Sequence, residues 1–154
     1  VIRAFEELKK KGKYYGGLIL AGMPGTGYDV IEKYVSESAY KSDIVLTGFV
    51  SDEELVALYS KCDVFCFVSL YEGFGIPPLE ALACGANVIV SNTSSLPEVV
   101  GDVGITIDPT NVEELEESIC LIIEGKWEAD ANCVSMHLAN YDWKNLSKAF
   151  ERSI

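Results

Sequence analysis

Glu72-Gly73-Phe74-Gly75-Ile76-Pro77-Pro78-Leu79-Glu80 is the stretch whose reading decides the fold. An apolar run from Asp63 to Val68 precedes it, and a short helical pattern from Pro77 to Cys84 follows. The sequence therefore reads as strand, glycine loop, helix. A helix start leaves backbone N–H groups unpaired and carries roughly half an elementary positive charge, so anions are stabilised there. Gly73 and Gly75 remove side chains that would hold a ligand away from the backbone, whereas Pro77 and Pro78 suit a first helical turn but donate nothing. The free donors predicted are the amides of Gly73, Phe74, Gly75 and Ile76. Glu72 stands before the loop and Glu80 in the first turn after it, and carboxylates that accept hydrogen bonds from hydroxyls are a means of holding sugars and riboses. The pocket reads as one for phosphate plus polyol.

The surrounding totals narrow the class. A chain of 154 residues, 49% hydrophobic, is one domain's worth with material for a sizeable core. No apolar run approaches the roughly 20 residues that span a bilayer, and no signal-peptide pattern opens the chain. The expected location is cytosolic. Five cysteines, Cys62, Cys66, Cys84, Cys120 and Cys133, form no C-x-x-C pair, so buried reduced thiols are expected rather than disulfides or zinc. A formal charge of −12 argues against nucleic acid. No lysine or arginine lies between Lys61 and Lys126, so an anion at the glycine loop must be neutralised by backbone amides and by groups outside that segment.

Along the chain, helices are predicted from Val1 to Lys11, Tyr28 to Ala39, after Ser51 to about Lys61, Leu96 to Val100, after Asn111 to Ile123, Ala129 to Leu138 and Trp143 to Phe150. Short buried strands are predicted at Gly17 to Ala21, Ile44 to Leu46, Asp63 to Val68, Val88 to Val90 and Ile105 to Ile107. Strands alternating with helices, each strand a continuous apolar run, predict an α/β fold with a parallel sheet covered on both faces. Ligands bind such sheets outside the carboxyl ends of the strands. Gly22, Gly48, Ser69 to Gly75 and Asn92-Thr93 all fall there. Gly22-Met23-Pro24-Gly25-Thr26-Gly27-Tyr28-Asp29 comes close to a P-loop, yet Tyr28 and Asp29 occupy the places of the phosphate-binding Lys and the Ser or Thr. It reads as a tight strand-to-helix loop lining the ligand cleft. The Lys9-Lys10-Lys11-Gly12-Lys13 run reads as a solvated helix end, and His137 as surface or core.

Gly48-Phe49-Val50-Ser51-Asp52-Glu53-Glu54-Leu55, Cys62-Asp63-Val64-Phe65, the stretch from Ser69 to Ala81, and Leu96-Pro97-Glu98-Val99-Val100-Gly101 together resemble the nucleotide-sugar-binding half of family 4 retaining glycosyltransferases. The resemblance covers nearly the whole chain. It implies the C-terminal, donor-binding domain of a GT-B architecture, a Rossmann-like sheet whose first strand and diphosphate-neutralising basic pair lie upstream of Val1. It further implies that residues 1–154 are a single donor-binding domain of a longer two-domain chain, inefficient alone. On that resemblance Glu72 is the catalytic-site residue that holds donor-sugar hydroxyls, and Gly73, Phe74, Gly75 and Ile76 contact sugar and diphosphate. Glu80 takes the ribose hydroxyls, and the backbone near Val50 meets the nucleobase. The partners implied are a nucleotide-sugar donor and a glycan or lipid-linked acceptor held by the N-terminal domain, in polysaccharide or glycan biosynthesis. A place at the cytoplasmic membrane face follows only for a lipid-linked acceptor. No cofactor or metal is called for.

Two rival readings stay open on the residues alone. As a glycosidase, Glu72 and Glu80 would be an acid and nucleophile pair, but the glycine-rich anion nest between them would be unexplained. As a binding module, the domain would hold a nucleotide sugar, or pack against another subunit, without turnover.

Overall fold

The computed structural model describes residues 1–141; the helix predicted at Trp143 to Phe150 lies outside the described residues. Seven α-helices and five strands are described: α1 (Ile2–Lys10), β1 (Leu18–Ala21), α2 (Tyr28–Glu37), β2 (Ile44–Gly48), α3 (Asp52–Lys61), β3 (Phe65–Phe67), α4 (Ile76–Ala83), β4 (Val88–Ser91), α5 (Leu96–Val100), β5 (Ile105–Ile107), α6 (Val112–Ile123) and α7 (Ala131–Ala139). The elements follow the predicted order, with ends shifted by a few residues. The chain forms two compact units, Val1–Leu55 and a second beginning at Val56, with the boundary inside α3.

All strand pairing is parallel. In the first unit β1 pairs with β2, Leu18 opposite Ile44 and Ile19 opposite Val45. In the second the order is β3-β4-β5, with Phe65 opposite Val88 and Ile89 opposite Ile105. The five strands are thus two sheets, and β1, β2, β3 and β5 each keep one edge without a strand partner among the described residues.

The two sheets are covered differently. Every residue of β4 is fully buried, so both of its faces are packed. Helices α4, α5 and α6 lie on it. Leu82, Ile89 and Leu96 are the largest side chains lost from water there, each worth roughly 1.5–3 kcal/mol. The β1-β2 sheet has one covered face, where Leu18, Leu20 and Leu46 pack on a cluster of Phe5, Val35 and Ile44 contributed by α1, α2 and β2. On its other face Ile19 and Val45 remain half exposed, at 50% and 51%.

Local chemistry sets the ends of the helices. Ser51 and Glu54 form a reciprocal box, the Ser51 N–H donating to Glu54 Oε2 at 2.8 Å and the Glu54 N–H to Ser51 Oγ at 3.3 Å. Asn111 accepts from the Glu114 N–H at 3.1 Å, and Asp130 accepts from those of Asn132 and Cys133, each at 2.9 Å. Two expectations need correcting. Lys9 is not a solvated helix end: its ammonium meets Asp43 Oδ2 at 2.6 Å, donates to the Gly16 carbonyl at 2.8 Å and lies over the Phe5 ring. Nor are the cysteines all buried; Cys120 is, Cys66 and Cys84 are half-buried, and Cys62 and Cys133 are exposed.

Candidate functional site

Strand β3 delivers the chain to Ser69, and the glycine loop runs from there to Gly75, the residue before α4. Gly75 is required twice over. Its φ is 105°, which side-chain-bearing residues rarely adopt, and a Cβ there would lie 2.6 Å from Cδ2 of Leu96, itself fully buried. Gly73 has neither constraint, and a Cβ on it would point into open space. The inner glycine makes the turn, and the outer one leaves room in front of the loop.

The predicted donors are available. Among the described residues no protein acceptor takes the N–H of Gly73, Phe74, Gly75 or Ile76, and no side chain caps α4. Pro77 and Pro78 follow in the first turn without N–H groups. Four consecutive amides are therefore left beside the positive end of the helix dipole.

The two carboxylates are held by hydroxyls. Glu72, half-buried, accepts from Ser69 Oγ at 2.7 Å. Glu80 is exposed on α4, and Tyr59 Oη of α3 lies 3.5 Å from its Oε2. Tyr59 is buried at 5% exposure, its ring edge-on to Phe65 at 5.0 Å. Burial, and then the Glu80 carboxylate, push the Tyr59 phenol up to about 12, so it remains a donor to Glu80 at neutral pH. Neither Glu72 nor Glu80 makes an ion pair among the described residues. Both carboxylates keep lone pairs to spare as acceptors.

The segment between β4 and α5 lies against the loop. Thr93 Oγ1 donates to the Leu70 carbonyl at 3.2 Å, Ser94 Oγ accepts from the Glu72 N–H at 3.1 Å, and Ser95 Oγ donates to the Phe74 carbonyl at 2.6 Å. On its far side Phe74 meets the Tyr141 ring edge at 6.0 Å. His137 of α7 is a packing residue: its Nε2 lies 2.8 Å from the Val99 carbonyl and its ring fills the space that a Cβ on Gly101 would need.

The structure thus brings together Glu72, Gly73, Phe74, Gly75, Ile76 and Glu80 on one strand-loop-helix unit. Gly22, exposed after β1, and Val50, half-buried after β2, belong to the first unit. Ser69 and Thr93 were among the strand-end residues that the sequence pointed to, whereas Tyr59, Ser94 and Ser95 are partners of the site that it did not single out. The run of three hydroxyl residues at 93–95, set directly between a buried strand and Leu96-Pro97, was the available signal.

The family described as glycosyl transferases group 1 matches residues 1–136. The chain belongs to that family. O-antigen chain mannosyltransferase B of Escherichia coli is 35% identical over 149 residues, which are 96% of this chain and 39% of that protein. An MMP alpha-(1->4)-mannosyltransferase of Mycolicibacterium hassiacum is 46% identical over 88 residues, covering 54% of this chain and 21% of its own length. The transferase domain described here therefore spans well under half the length of these relatives. Among solved structures, sucrose-phosphate synthase of Thermosynechococcus elongatus superposes with a TM-score of 0.79 at 23% identity, over 98% of this chain and 39% of that one. Anabaena HepE, solved with UDP and glucose, superposes with a TM-score of 0.80 at 21% identity, over 98% and 44%. These likenesses give the fold, the Rossmann-like C-terminal domain of the GT-B architecture. Among the described residues no helix is long and apolar enough to cross a membrane.

Proposed function

We propose that the domain binds a nucleoside-diphosphate sugar and, in the intact enzyme, supplies the donor half of a transfer that retains the anomeric configuration. The observation that carries this reading is the row of four consecutive N–H groups, Gly73 to Ile76, lying without protein acceptors between two carboxylates that have no cation partner. Breaking the bond from the sugar's anomeric carbon to the diphosphate moves negative charge onto the leaving oxygen. Fixed amides aimed at that charge need no reorganisation as it develops, and such donors are the larger part of the catalysis. Glu72 accepts from the sugar hydroxyls and steadies positive charge at the anomeric carbon; Glu80, kept in place by Tyr59, accepts from the ribose. The rest of the diphosphate charge falls to cations outside the stretch from Lys61 to Lys126. The mannosyltransferase names of the relatives make a nucleoside-diphosphate mannose the first donor to test, with a glycan acceptor.

The test is sugar transfer by the intact enzyme carrying Glu72→Gln. Loss of one charge-assisted hydrogen bond, about 1.5–3 kcal/mol, predicts a fall in kcat/KM of roughly ten- to a hundredfold with the fold retained. Unchanged turnover would remove Glu72 from the site. For Glu80→Ala the expected change is in nucleotide affinity, read by titration calorimetry.

A further inference from the structure

We infer that Thr93, Ser94 and Ser95 form a clamp that positions the glycine loop, acting on the donor through the backbone of Leu70, Glu72 and Phe74; this rests on the donor-binding reading above. Three consecutive hydroxyls engage three alternate residues of the loop, at 3.2, 3.1 and 2.6 Å. An extended chain cannot do this, because its successive side chains point to opposite sides. The backbone must break at the middle residue. It does: Ser94, with φ of 55°, is the one non-glycine residue in the left-handed region among the described residues.

Ser95 makes the second contact of the pair that holds the loop backbone. It stands at the start of α5 with helical backbone, φ −80° and ψ −15°, which keeps its hydroxyl from capping the first-turn amides and leaves it free for the loop. Its hydroxyl is turned outward to the Phe74 carbonyl, with a longer contact of 3.4 Å to the Glu72 carbonyl. A strained residue and a neighbouring hydroxyl that is not used on its own helix, side by side, both serve contacts to the same loop. A strained non-glycine residue kept at this place points to a functional constraint rather than packing.

The contacts fall where they matter. Taking up the Glu72 N–H removes that amide from the set facing the ligand, so the donor row begins at Gly73. Holding the Phe74 carbonyl inward fixes the plane of the following peptide, whose N–H belongs to Gly75. Ser69 completes the grip by holding the Glu72 carboxylate from the strand side. Thr93, Ser94 and Ser95 are therefore positioning residues for amides and carboxylate alike.

The test compares Ser95→Ala, Ser94→Gly and Ser95→Thr with the unsubstituted intact enzyme, by amide hydrogen exchange and by steady-state transfer. Ser94→Gly relieves the strain while deleting the hydroxyl, so a stability loss cannot mimic the effect. Expected in Ser95→Ala and Ser94→Gly is about tenfold faster exchange of the Glu72 amide, the one amide of the loop that the clamp itself protects, with β4 unchanged, and about tenfold lower kcat, recovered by Ser95→Thr. Exchange unchanged in both deletions overturns the clamp. Faster exchange with kcat within about twofold of the parent overturns its positioning role. If the unsubstituted enzyme transfers no sugar, the transferase reading fails on its own, and the exchange comparison still decides the clamp.

Discussion

Gly75 carries the largest single-residue consequence. Because its conformation is left-handed and its missing Cβ is the room occupied by Leu96, Gly75→Ala must open the α4–α5 contact as well as strain the backbone. We expect a loss of about 1–3 kcal/mol, seen as a lower denaturant midpoint at unchanged slope. Gly73→Ala is the control: stability stays within about half a kcal/mol, while donor affinity falls because the new methyl stands in front of the amides. Tyr59→Phe removes the hydroxyl near Glu80 and leaves the buried ring in place. The parent phenol titrates higher folded than unfolded, so it adds stability that is complete below pH 10 and is lost as pH rises toward 12. In alkaline unfolding curves the parent should therefore lose stability relative to Tyr59→Phe across that window. Ser91, buried and with no partner for its Oγ among the described residues, is a site where alanine is expected to cost nothing, measured as an unchanged or raised melting temperature.

At the scale of elements, most of the chain was legible because periodicity and caps are local properties. Ser51-Asp52-Glu53-Glu54 and Asn111-Val112-Glu113-Glu114 each stated a helix start that the hydrogen bonds repeat. The strand-loop-helix around Glu72 was equally local. What the sequence could not state is which distant hydroxyls or cations meet an element, and hence the partners of Glu72 and Glu80 and the role of Lys9 went unread. Lys9 lies in the last turn of α1, where a solvated cation beside the dipole is the ordinary outcome, yet the fold brings Asp43 to it from just before β2. The Lys9 ammonium holds the Asp43 carboxyl below the usual aspartate range. The sign follows: that stability is present above the ordinary pKa of about 3.9 and is lost as pH falls below it. Lys9→Met is therefore expected to flatten the acid limb of stability below about pH 4, checked by urea unfolding at pH 3 and pH 6.

On the scale of the whole molecule, the alternation of strands and helices predicted a parallel α/β fold, and the two sheets are parallel throughout. Their division into two units was less legible, since apolar runs such as Leu18–Ala21 and Val88–Ser91 look alike in sequence while one becomes half-exposed and the other wholly buried. Burial on a second face depends on what lies across the sheet, which no local pattern records. The net charge of −12 acts over the same distances. Self-repulsion of that size predicts a melting temperature that rises with sodium chloride up to a few tenths molar, as the screening length falls below roughly 10 Å. The open side of the β1-β2 sheet has a thermodynamic signature of its own. Ile19 and Val45 sit in register and half in water, so any surface that covers them releases their hydration shell. Covering that face must therefore carry a negative change in heat capacity, read in calorimetry as an association enthalpy that becomes more favourable with each degree of warming.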